Sequence, residues 1–110
     1  MTVRAEFDDI IDAAKGAMMT ALEREGIKPE TIYHVGVTHI DPQHLSTYLV
    51  FATTRESELA LTRQDVLDQC FALLKGAGYP SGKRDGVNIG YVSIQHIEET
   101  TGGNWYLYFK

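Results

Sequence analysis

The sequence predicts an α+β fold, a two-layer sandwich with the element order α-β-β-α-β-β. Apolar residues recur at helical spacing near the N-terminus and again after Thr62, and two β-rich runs flank a Gly-Gly pair near the C-terminus. We therefore expect a four-stranded, mostly antiparallel sheet that carries both helices on one face. The length suits a single domain spanning residues 1–110.

The first predicted helix begins at Val3 and ends before Gly26. Its apolar residues recur at steps of three and four, which is the spacing of one helical face. Thr2 is a suitable N-cap, and Gly26 is suited to the left-handed conformation that often ends a helix. Gly16, inside this helix, would let a neighbouring element approach closely.

The next two predicted elements are strands at Thr31–Ile40 and Ser46–Thr54. The dipeptide Asp41-Pro42 begins the connection between them, because proline presets φ for a turn. Residues 55–61 then form a polar connection with an apolar end. In this pairing the core face holds Val35, Val37, Leu49 and Phe51, whereas His34, Thr38, Tyr48 and Val50 point the other way.

The second predicted helix starts at a capping box, Thr62–Asp65, and ends at Gly76 or Gly78. Cys70 lies in its apolar stripe, so we interpret this cysteine as a small buried hydrophobe and not as a nucleophile. A loop follows at residues 79–86. The path from the second strand through this helix is also long enough for a right-handed parallel crossover, and the strand order stays open.

The last predicted element is a β-hairpin from Val87 to Lys110. Gly102 and Gly103 form its turn, because glycine takes positive φ at little steric cost. This register places an apolar set on the core face: Val92, Ile94, His96, Trp105, Leu107 and Phe109. The opposite face collects Tyr91, Ser93, Gln95, Tyr106, Tyr108 and Lys110.

No motif in the chain indicates catalysis, a metal or a cofactor. Gly82-Lys83 is followed by Arg84 where a phosphate-binding loop needs Ser or Thr, so this basic spot contacts a partner or only solvates the loop. The four histidines lack metal-site spacing, and the serines lack a nucleophile elbow. We therefore expect a protein that is not an enzyme, with no catalytic residues, no metal and no cofactor.

The charge balance and the cysteine count limit the partners and the compartment. A net charge of −5 argues against direct binding of nucleic acid, which needs a basic footprint. A single cysteine excludes an internal disulfide and fits a reducing compartment. No signal peptide or membrane span is evident, so we expect a cytoplasmic protein without a membrane partner.

Two groups of side chains are candidates for binding a protein partner. Acids cluster in the first helix and at the predicted hairpin turn, and tyrosines project from the sheet face that the helices leave uncovered. The predicted binding residues are Asp8, Asp9, Asp12, Tyr48, Tyr91, Glu98, Glu99, Tyr106 and Tyr108.

This combination resembles the immunity proteins of bacterial toxin systems, above all those of contact-dependent growth inhibition. The residues that carry the resemblance are the acids at 6, 8, 9 and 12, the Glu98-Glu99 pair and the tyrosine face. The resemblance implies an inhibitor that neutralises a cognate basic toxin, such as a nuclease, by occluding its active site. The alternatives are a small ligand-binding or enzymatic α+β domain with a pocket between sheet and helices, and a structural protein that forms a homodimer through the sheet face.

Overall fold

The computed structural model describes the backbone of residues 3–36 and 42–109 and, within these, the side chains of 7–36 and 43–109. Over these ranges the chain forms five α-helices and three strands, with short 3₁₀ turns at Pro42–His44 and Lys83–Asp85. The class is α+β, as predicted. In chain order the elements are α1 (Val3–Arg24), β1 (Thr31–Val35), β2 (Ser46–Phe51), α2 (Thr54–Leu61), α3 (Gln64–Gly76), β3 (Asn88–Ser93), α4 (Ile94–Thr101) and α5 (Trp105–Tyr108).

The described strands form one mixed sheet in the order β1-β2-β3. β1 and β2 are antiparallel, with Ile32 opposite Leu49, and β2 and β3 are parallel, with Leu49 opposite Tyr91. A parallel pair needs a long crossover, and α2 and α3 supply it. The predicted four-stranded, mostly antiparallel sheet is therefore wrong, whereas the crossover left open by the sequence is the connection that forms.

The predicted C-terminal hairpin is wrong because its first strand stops at Ser93 and a helix begins there. The Ser93 hydroxyl accepts a hydrogen bond from the His96 N–H at 3.0 Å, which is the geometry of an N-cap. Gly102, with φ of 64°, then ends α4 in the left-handed conformation. Asn104 caps α5 in turn by accepting from the Leu107 N–H at 3.0 Å. The glycine pair thus takes positive φ as expected, but it ends a helix and does not turn a hairpin.

The segment between β2 and α3 also differs from the prediction. Residues 54–61 form α2. Its N-cap is Thr53, whose hydroxyl accepts from the Glu56 N–H at 3.2 Å. The predicted capping box of the next helix does not form: the N-cap position is Arg63, and the Thr62 hydroxyl donates to the Leu59 carbonyl at 2.7 Å. Thr62 closes the last turn of α2 and so cannot cap α3.

The main core lies between the sheet and the pair α1 and α3. Residues directly opposite each other in a sheet point to the same side, so Ile32, Leu49 and Tyr91 share the face toward these two helices. Cys70 is buried in this core, as predicted. Fully buried members of the cluster include Ile11, Ala14, Met18, Leu22, Leu45, Leu49, Cys70 and Leu74.

The opposite face of the sheet is covered by α4 and α5. Val50 and Ile97 are both 0% exposed but lie outside the main core cluster, because they pack on this second side. The two-layer arrangement is therefore wrong, since helices cover both faces. The predicted strand faces are right for β2, where Tyr48 and Val50 point away from α1. They are wrong for β1, because Val35 points away from α1 and His34 points toward it.

Several predictions fall on residues outside the described ranges. They are the Thr2 N-cap, the strand positions 37–40, the start of the turn at Asp41, and the side chain of Glu6. Among the described helices, none combines the length and the apolar character that a membrane span requires.

Candidate functional site

Five aromatic side chains meet on the sheet face that α4 and α5 cover, and we call this group the aromatic face. Tyr33 and Tyr48 stand directly opposite each other on β1 and β2. The Phe109 ring lies on both of them, with centroids 5.0 Å from Tyr33 and 4.6 Å from Tyr48. Trp105 meets Tyr33 edge-on at 5.3 Å, and Tyr108 meets Phe109 edge-on at 5.1 Å. These offset and edge-to-face geometries are the favoured ones for aromatic pairs, so they fix α5 on the sheet.

All five rings remain partly exposed, so the aromatic face is not a closed core. The outer side of α5 adds two strongly exposed apolar side chains, Tyr106 at 72% and Leu107 at 53%. Tyr106 and Leu107 thus expose apolar and aromatic area on a helix of a single turn.

A hydrogen bond between the Tyr108 hydroxyl and Nδ1 of His96 ties α5 to α4. The two rings meet edge-on at 5.4 Å. Burial, with the nearby Tyr48 as a second cause, raises the pKa of Tyr108 above its ordinary value. The hydroxyl of Tyr108 is thus engaged by His96 at the edge of the aromatic face.

The acidic and basic side chains of the segment 94–109 have one sign. Glu98 and Glu99 are exposed on α4, and the segment 94–109 contains no lysine or arginine. The Glu99 carboxylate accepts from the Gln95 side chain at 3.1 Å. The surface of α4 and α5 therefore presents negative charge beside exposed aromatic rings.

The structure brings five of the predicted binding residues to this side of the molecule. Tyr48 and Tyr108 belong to the aromatic face, Tyr106 is exposed on α5 beside them, and Glu98 and Glu99 are exposed on the neighbouring helix α4. The two glutamates lie on a helix and not at the predicted hairpin turn.

Tyr91, by contrast, points toward α1 and α3, so its predicted outward position is wrong. Its ring packs on Phe51 at 6.1 Å, and its buried hydroxyl has no hydrogen-bond partner among the described residues. Burial raises the pKa of Tyr91 to about 12. The parity error follows directly from the hairpin that the sequence predicted and the chain does not form.

The three aspartates of α1 lie on the other side of the sheet from the aromatic face. Asp9 and Asp12 are exposed and Asp8 is half-buried. Asp12 forms an ion pair at 3.9 Å with Lys15, whose ammonium also bonds His34 on β1. The two predicted groups of acids therefore do not share a surface.

The sequence does not identify three members of the aromatic face. Its patterns assign no role to Tyr33, and they place Trp105 and Phe109 in the core of a hairpin that does not form. The spacing of Trp105, Tyr108 and Phe109, at steps of three and four, is helical and was the signal that could have identified them.

Within residues 3–36 and 42–109, no three or more His, Cys, Asp or Glu side chains group in a way that could hold a metal ion. A cavity of about 330 Å³ lies at the end of the sheet beside α2, with Ile27, Phe51 and Ala60 in its wall. Arg63 at its rim is engaged by Glu25 and Asp65. No family model, curated protein or solved structure matches this chain.

Proposed function

We propose that this protein is a small cytoplasmic inhibitor that binds a basic protein through α4, α5 and the aromatic face. The observation that carries the proposal is the exposure of Tyr106 and Leu107 on a short helix whose other rings are fixed against the sheet. Tyrosine and tryptophan are enriched at binding hot spots, because they offer a large rigid contact with a polar tip.

Preorganisation strengthens this proposal. Trp105 and Phe109 anchor α5 from below, so the backbone of Tyr106 and Leu107 is already ordered before a partner arrives. Binding then loses less conformational freedom than a mobile C-terminal segment would lose.

The negative charge of α4 supports a basic protein as the partner. Glu98 and Glu99 are exposed on α4, the helix that α5 packs against, and the segment 94–109 contains no lysine or arginine. Complementary charge mainly raises the rate of association, while buried apolar contacts govern dissociation.

In this proposal the protein is an immunity protein that neutralises a toxin, such as a nuclease, by covering its active site. A nuclease must attract phosphates, so its active-site surface is basic and complements an acidic inhibitor. The net charge of −5 of the whole chain agrees with this partner.

The experiment is capture of a basic protein encoded beside this one, followed by binding kinetics at several salt concentrations and an assay of the partner's activity. The pair Y106A/L107A should speed dissociation by about tenfold or more, since a hot-spot side chain contributes about 2 kcal/mol. The matched control is L59A/L61A, which removes two apolar side chains of 59% and 60% exposure from α2. This control should leave the dissociation rate unchanged.

Charge variants complete the test. E98Q/E99Q should slow association and flatten its salt dependence, with little change in dissociation. D8N/D9N/D12N removes charge from the other side of the sheet and should slow association less. The proposal fails if the captured partner retains full activity in the complex, or if L59A/L61A weakens binding as much as Y106A/L107A.

A further inference from the structure

A second cavity, of about 540 Å³, lies between α3 and the loop that leads to β3. This volume falls within the range of small-molecule sites in proteins. Phe71, Ala72 and Pro80 give the cavity an apolar wall. Three cationic side chains and one carboxylate complete its lining: Lys75, Lys83, Arg84 and Asp85.

The concentration of positive charge here is unusual for this chain. Three of its ten lysines and arginines line one cavity, although the protein as a whole carries −5. None of the three forms an ion pair with a carboxylate of the described residues, whereas Arg63 is paired with two. Unneutralised cations around a concave apolar wall are the chemistry that recognises an organic anion.

Two contacts hold this site in shape. The Lys83 ammonium lies 5.7 Å from the centre of the Phe71 ring, a cation–π contact that keeps this charge at the cavity. The Asp85 carboxylate accepts from the Gly82 N–H at 2.9 Å and fixes the turn at Lys83–Asp85. The one acid of the lining therefore has a structural partner, and the lining keeps a net positive charge.

We propose that this cavity binds a small molecule that carries a phosphate group on an aromatic ring. The phosphate would lie among Lys75, Lys83 and Arg84, because guanidinium and ammonium groups form short, charge-assisted hydrogen bonds with phosphate oxygens. The ring would lie against Phe71 and Pro80. This site is separate from the aromatic face, and the proposal does not depend on the proposed function.

The experiment is an NMR titration of the full chain with phenyl phosphate, inorganic phosphate and phenol as separate probes, at constant ionic strength. Phenyl phosphate should bind saturably, shift the backbone amides of residues 79–86, and bind more tightly than either fragment. K83Q/R84Q should weaken it about tenfold or more, since each charged hydrogen bond contributes about 1.5 kcal/mol or more. D85N should tighten binding several-fold, because it removes the opposing charge and keeps an oxygen to accept from Gly82.

The matched control is K28Q/R55Q, which also removes one lysine and one arginine charge, but from exposed positions outside this cavity. It should leave the affinity for phenyl phosphate unchanged. The proposal is overturned if phenyl phosphate does not saturate, if inorganic phosphate alone binds as tightly, or if the control weakens binding as much as K83Q/R84Q.

Discussion

The ammonium of Lys15 on α1 lies 3.1 Å from Nδ1 of His34 on β1. An ammonium carries only donors, so Nδ1 must accept, and the neutral imidazole then carries its proton on Nε2. Burial, followed by the charge of Lys15, lowers the pKa of His34, while Asp12 and Asp8 act in the opposite direction. This contact joins the first helix to the edge strand through a histidine held in its neutral form.

The first prediction concerns this histidine. Lys15→Gln removes the second cause of the lowered pKa, so the pKa of His34 should rise toward its ordinary value. Because the folded protein favours neutral His34, its contribution to stability is present above the ordinary pKa and is lost as pH falls through the lowered one. The variant should therefore lose less stability on acidification than the wild type. The measurement is an NMR titration of the imidazole together with urea unfolding at several pH values.

Asp12→Asn is the control for this prediction. Removing a carboxylate that favours the protonated ring should lower the pKa of His34 further, opposite to the effect of Lys15→Gln. A shift in the same direction for both variants would show that the contact with Lys15 does not set the protonation of His34.

The second prediction tests α4 and the packing beneath it. Ile97 is fully buried against the second side of the sheet, so Ile97→Ala should lower the free energy of unfolding by about 2–5 kcal/mol. Ile94→Ala makes the same truncation at a half-buried position of the same helix and should cost less. Chemical denaturation compares the two variants. Equal losses of unfolding free energy in the two variants would contradict the deeper burial of Ile97.

The third prediction concerns the buried hydroxyl of Tyr91. Leaving a buried polar group without a partner costs about 1–3 kcal/mol, so Tyr91→Phe should leave stability unchanged or raise it by about 1 kcal/mol. A clear loss of stability at neutral pH would reveal a hydrogen bond to this oxygen.

The raised pKa of Tyr91 should also make the stability of the protein depend on pH above pH 10. Its pKa is raised from 10.0 to about 12 by burial, so its contribution to stability is present below pH 10 and is lost as pH rises through about 12. The difference in unfolding free energy between wild type and Tyr91→Phe should therefore change over this interval, and urea melts across it measure the change.

The fourth prediction compares two glycines. Gly16 lies inside α1, and an added Cβ there would meet no atom of the described residues within 4 Å, so no described element approaches it closely. Gly16→Ala should therefore stabilise the protein by about 0.5–1 kcal/mol through helix propensity. Gly102→Ala should instead destabilise by about 1–2 kcal/mol, because φ of 64° is left-handed. Thermal and urea unfolding of both variants distinguish these effects, and a destabilised Gly16→Ala would contradict the open space around this position.

The sequence predicted well wherever a local pattern repeats over many residues. The periodicity of α1 and α3 follows from side chains three and four positions apart, which meet on one face whatever the rest of the chain does. The burial of Cys70 and the positive φ of Gly26 followed from the same local reasoning. The sequence also indicates the exposed cations Lys83 and Arg84, although it does not place Lys75 beside them.

Only the tertiary structure decided what happens after Ser93. The run of β-formers before it and the glycine pair after it fit a hairpin and a capped helix almost equally, because positive φ serves both and β-propensity depends on packing. β3 pairs with β2 in parallel, and the residues after it form two helices capped by Ser93 and Asn104 and do not return as an antiparallel strand. That choice moved Tyr91 into the core and brought Trp105 and Phe109 onto Tyr33 and Tyr48. The aromatic face therefore depends on contacts between residues far apart in the chain, which no local pattern encodes.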